Sequence, residues 1–116
     1  MRESEPVDID ALYRRMGHAK RAVVATLRDE HQLRSALAKE REQVQARQAQ
    51  IVQATAEGKV SLVEEAEASR VDSLRAVDTL EARLESQEAE TLRLKSTLES
   101  IFAELASAMD RAKPWH

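Results

Sequence analysis

The chain has 116 residues, a formal net charge of −3, and charged side chains at 34% of positions against 3% aromatics. So short and aromatic-poor a chain excludes several domains and a thick globular core, which large aromatics normally dominate. Cysteine is absent, so a disulfide framework and a thiolate metal site are excluded, and the acidic balance argues against general nucleic-acid binding.

Residues 1–8 read as an N-terminal tail. Its start, MRESEPVDID, is acidic and has no apolar stretch, so no secretory leader is expected. Pro6 signals a helix start, and Asp8 or Asp10 is expected to cap the first helix by accepting bonds from its free N–H groups. The first arm, 9–56, then carries an apolar residue at every seventh position: Ile9, Met16, Val23, Leu37, Val44 and Ile51, with Glu30 the polar exception. Leu12, Ala19, Thr26, Leu33 and Ala54 follow at an offset of three. These are the a and d rows of a coiled-coil seam.

A turn is expected over 57–60, because Gly58 can take the left-handed backbone conformation that a tight reversal needs. The second arm, 61–112, repeats the pattern with Val63, Val77, Leu84, Thr91, Leu98 and Leu105, interleaved with Ala66, Leu80, Gln87, Leu94, Ile101 and Ala108. Pro114 ends it. Residues 113–116 form a second tail that carries the only tryptophan, Trp115. That residue type suits an interaction hot spot or a membrane interface, and a frayed, functionless terminus is an equal reading.

The expected fold is all-α: a long antiparallel two-helix coiled-coil hairpin, 9–112, with its turn near Gly58. Each arm of roughly 50 residues would extend about 75 Å. Pairing residues whose numbers sum to 117 brings Met16 to Ile101, Val23 to Leu94, Leu33 to Leu84 and Leu37 to Leu80. It also brings polar Glu30 to polar Gln87. Two layers fit poorly: Arg47 faces Arg70 and Glu40 faces Val77. Nearby Val71 and Leu74 suggest a seam that drifts by about one residue, in a weak zone or one packed on a second molecule. No apolar run approaches the ~20 residues that span a bilayer, so a cytoplasmic location is expected.

His18, His31 and His116 include no pair four residues apart, so no zinc-binding helix motif is present. They read as solvated or seam-edge histidines. Carboxylates are plentiful but lie on helices with no pocket to shift their pKa values. No glycine-rich phosphate loop or nucleophile elbow occurs. Hence no enzyme, cofactor, metal site or small-molecule substrate is expected. Between Arg14 and Arg47 the net charge is +5. Arg14, Arg15, Lys20, Arg21 and Arg28 are candidates to touch an anionic surface, although complementing the acidic second arm is the preferred reading. Val24, Leu27, Leu62, Val71, Leu92 and Phe102 lie off the seam and are the candidate protein-interface residues.

Several residues resemble the hairpin of phage-shock protein A and its plastid relative, the vesicle-inducing protein, of the ESCRT-III-like superfamily. Leu27 followed by Gln32-Leu33 matches the start of that hairpin, and Gln48 matches a later glutamine. The run Ala54-Thr55-Ala56-Glu57-Gly58 through Leu62, Ala66 and Arg70 matches the spacing of its turn region. The likeness covers about residues 10–108. Arg47 replaces the family's tryptophan, and Ser61-Leu62-Val63-Glu64 replaces its Asp-Leu-Ala-Arg. Residues 1–10 are acidic, where the family opens with an amphipathic membrane-binding helix.

The resemblance implies a hairpin-only, divergent member with a non-catalytic role in membrane-stress response or envelope maintenance. It implies self-association, and binding of a longer relative or of a stress regulator of the AAA+ type. Peripheral contact with the inner face of a membrane is the weaker expectation. The alternative is a coiled-coil adaptor or chaperone stalk with no membrane role, or a self-polymerising filament.

Overall fold

The computed structural model describes residues 8–112. The Trp115 tail, His116 and most of the N-terminal tail lie outside them. Two helices fill this span: α1, Ile9–Ala56, and α2, Val60–Ala112. The described residues contain no proline, and alanine, leucine, arginine, glutamate and glutamine, all good helix formers, are frequent. The architecture is an all-α antiparallel hairpin turning at Gly58. No helix of the described residues is long and apolar enough to cross a membrane.

Both helix junctions have local causes. Asp8 caps α1: its Oδ1 accepts the N–H of Ala11 at 3.0 Å, and its carbonyl accepts the N–H of Leu12 at 3.1 Å. Asp10 instead sits inside the first turn, where its charge suits the helix N-terminus. At the other end, Gly58 has φ +70°. The N–H of Lys59 donates to the carbonyl of Ala54 at 2.9 Å, and that of Gly58 to Thr55 at 3.1 Å. These two bonds are a Schellman cap, which satisfies carbonyls that the helix end leaves open. The Lys59 carbonyl then accepts the N–H of Val63 at 3.1 Å. Val60 therefore already belongs to α2, and the turn is 57–59, one residue shorter than the sequence suggests.

A Cβ at Gly58 would meet nothing within 4 Å. Gly58→Ala should therefore cost only the backbone penalty of the left-handed region, about 1 kcal/mol. Gly58→Asn should cost less, since asparagine tolerates that region. Urea unfolding of both variants checks the order.

The chain divides into two compact units. One joins Ile9–Arg28 to Ala89–Ala112. Its seam buries Leu12, Ala19, Val23 and Thr26 on α1 and Thr91, Ile101, Leu105 and Ala108 on α2. Leu12, Leu105 and Ala108 form a cluster onto which Ile9 and Met16 pack. The Thr26 hydroxyl donates to the Val23 carbonyl at 2.9 Å, so it is satisfied within its own helix.

The other unit, Asp29–Glu88, holds the turn. Leu37 and Ala54 on α1 and Ala66 and Val77 on α2 are buried, as is Glu30. Gln87 is half-buried, and both it and Glu30 have polar partners. None of the large side chains among the described residues is fully buried, because a two-helix seam is open along both edges.

The expected seam drift does not occur. Glu40, Val44 and Arg47 on α1, and Arg70, Ser73 and Val77 on α2, keep the regular three-four spacing and are buried or half-buried. Val71 and Leu74 are instead exposed, each at 42%. Val63 and Val77 stand two heptads apart, so the seam is in phase on both sides of Arg70. Drifting out and back would need two local changes of helix winding. Burying an arginine stem while its head reaches outward is the smaller cost.

Candidate interaction surface

Each edge of a two-helix coiled coil is lined by one row of side chains from each helix. In the turn-containing unit, one edge is closed by ion pairs. Arg41 bridges to Glu81 at 3.0 Å, and Arg34 to Glu88 at 3.8 Å and to buried Glu30 at 3.2 Å. Apart from Glu30 these groups stand mostly in solvent, and each such pair contributes less than about 1 kcal/mol.

In the Ile9–Arg28/Ala89–Ala112 unit, the equivalent heptad positions carry different chemistry. Stepping by sevens, α1 presents Tyr13, Lys20 and Leu27, and α2 presents Lys95, Phe102 and Met109. Tyr13, Leu27, Phe102 and Met109 are all exposed, at 43–48%. The Lys20 ammonium lies 5.6 Å from the Phe102 ring centre, which ties the two rows into one face and adds a cation–π attraction. Val24 and Leu92 widen this face on its outer sides, at 47% and 68% exposure. The opposite edge of the same unit is polar, with Arg15 bridged to Glu104 at 3.0 Å.

Four of the six interface candidates read from the sequence thus converge here: Val24, Leu27, Leu92 and Phe102. Leu62 and Val71 belong to the other unit. Leu62 lines a groove beside the turn with Arg47, Gln53, Lys59 and Glu65, and Val71 is exposed. Sequence reasoning missed Tyr13 and Met109, although each stands seven residues from Lys20 or Phe102 and shares its row.

The five basic candidates do not form one patch. Arg14, Arg21 and Arg28 recur by sevens along the outer side of α1. Arg15 sits on the polar edge and Lys20 on the apolar one. Arg14 lies 3.9 Å from Asp8, and the Arg21 guanidinium is 3.2 Å from His18 Nδ1. Arg15, paired with Glu104, complements the acidic second arm in the manner preferred from the sequence.

Among the described residues, two carboxylates have shifted titration. Hydrogen bonds from Arg93, one at 2.9 Å, hold Glu90 below the usual carboxylate range and raise the Arg93 guanidinium in turn. Lys59, with help from Gln53, lowers Glu57. Any stability these groups supply is complete above the ordinary carboxylate range and is lost as pH falls through the lowered values. Both stand in solvent, so the effect is screened. Among the described residues, no cluster of histidine and acidic side chains is arranged to hold a metal ion. No protein-family model, curated protein or solved structure matches the chain.

Proposed function

We propose that this chain is a non-catalytic coiled-coil hairpin, similar to phage-shock protein A, that serves membrane-stress response or envelope maintenance. It acts by presenting its helical surfaces to copies of itself and to protein partners, a longer relative or a stress regulator among them. The observation that carries this reading is the apolar face of the Ile9–Arg28/Ala89–Ala112 unit, bordered by the row of Arg14, Arg21 and Arg28. Exposed apolar side chains rimmed by charge mark interaction sites on soluble helical proteins. An arginine row adds attraction to anionic lipid headgroups, of about 1 kcal/mol per charge close to the surface.

Sedimentation with and without anionic vesicles, at low and high salt, tests the membrane part. The protein should pellet only with vesicles, less at high salt, and not after Arg14, Arg21 and Arg28 are all changed to glutamate. Remaining in the supernatant under every condition would overturn direct lipid contact. The second reading, an adaptor or chaperone stalk, would then be the better one; the ion-paired edge of the turn-containing unit suits such a spacer.

A further inference from the structure

We infer that the apolar face of the Ile9–Arg28/Ala89–Ala112 unit docks a second copy of this chain about a two-fold axis, setting Leu92 on Phe102 and Lys95 on Glu99 of that copy. The inference rests on the self-association part of the proposed function and adds the surface and its register.

The spacing on α2 carries the argument furthest. Leu92, Lys95, Glu99, Phe102, Ala106 and Met109 step by three and four, the same rhythm as the seam inside the hairpin. They form a second stripe on the same helix. Run antiparallel against itself about Thr97, the stripe matches its own chemistry. Leu92 meets Phe102, and Lys95 meets Glu99. Each contact occurs twice, as a two-fold interface requires. Within one chain no described side chain covers Leu92, which is 68% exposed.

An independent observation comes from α1. Gly17 lies inside a helix, where glycine costs about 1 kcal/mol relative to alanine. Among the described residues nothing demands it: a Cβ there would meet only the Arg21 guanidinium, at 3.7 Å. Gly17, Lys20, Val24 and Leu27 also step by three and four. Paired antiparallel about Ala22, Gly17 receives Leu27 of the second copy, and Lys20 lies beside Val24. The absent side chain makes room for the large one.

The two centres agree. Arg15 and Glu104 are bridged across the polar edge of this unit. Stepping one heptad along both helices from that pair reaches Ala22 and Thr97, and the seam pairing of Leu12 with Leu105 places Ala22 within two residues of the level of Thr97. A single two-fold axis therefore serves both helix pairs, and four helices close over one apolar core. The corresponding edge of the Asp29–Glu88 unit carries ion pairs in place of apolar residues, which confines the docking to this half.

Sedimentation equilibrium of the full chain, without lipid, tests this. The wild type should reach twice the monomer mass. Leu92→Glu with Phe102→Glu should return it to monomer with its far-UV helical signal retained. Lys95→Glu should weaken the dimer about tenfold, because both symmetric pairs become repulsive. Adding Glu99→Lys to that variant should restore it. A wild type that stays monomeric at every concentration overturns the proposal. So does a dimer that Lys95→Glu alone leaves as tight as the wild type, which would place the helices in another register. Vesicle binding by a strictly monomeric protein would assign the face to lipid, leaving the membrane reading intact while sinking this one.

Discussion

Changing Arg47 and Arg70 together to leucine should stabilise the hairpin by about 1–4 kcal/mol, the range seen when buried charged groups are replaced by apolar ones of similar size. Both arginines occupy seam positions in one layer and carry the same charge. Their outer nitrogens reach sideways, Arg47 to Gln50 at 3.1 Å and Arg70 to Gln48 at 2.6 Å. The Nε atoms of both are buried and find no acceptor among the described residues. A buried donor left unpaired costs about 1–3 kcal/mol. Leucine removes two such donors and a like-charge opposition, and adds apolar area to the layer. Urea unfolding of the double variant measures the gain, and a gain confined to the tip would appear as slower hydrogen exchange near residues 44–51 and 66–73. An unchanged midpoint would mean that the arginine stems already pack as well as leucine.

Leu105→Ala should act in the opposite sense, with a loss of about 2–3 kcal/mol. Leucine-to-alanine changes in cores cost about 2–5 kcal/mol, and the lower half of that range applies where a site can admit water. Leu105 is 7% exposed and sits among Leu12, Ala108, Ile9 and Met16, but the seam there has only two walls. Protection from exchange should fall first around Leu12 and Leu105, while residues near the turn keep theirs. A loss within about 0.5 kcal/mol, as for ordinary surface changes, would show that the cluster contributes little.

The hairpin was legible in the sequence because its signals repeat. Fourteen heptad positions on each arm outvote any single exception, and Gly58 lies where the two series meet. The local error at Val71 and Leu74 came from weighing side-chain polarity over phase. One valine and one leucine, three positions apart, drew the seam toward themselves, whereas the unbroken spacing from Val63 to Val77 holds Arg70 inward. The exposed apolar face was partly visible. Leu27, Val24, Leu92 and Phe102 stood out as apolar residues off the seam, but their convergence depends on which rows of the two helices share an edge. Tyr13 and Met109 stand in the same heptad rows as Leu27 and Phe102, so the seven-residue spacing was the signal that could have found them. The open space at Gly17 needs a structure to be seen, since a Cβ there would meet only the Arg21 guanidinium among the described residues.

The antiparallel pairing also sets an order in time. Nine positions separate Ala54 from Val63, while 93 separate Leu12 from Leu105. Bringing the distant pair together as an isolated event costs about 2 kcal/mol more chain entropy than the near pair. Contacts therefore form as a zipper from the turn outward, and the arginine layer is an early obstacle, met before any leucine pair has closed. The cluster of Leu12, Leu105 and Ala108 is met last and works as a clasp. The hairpin starts to close where its loops are shortest and is held shut where they are longest.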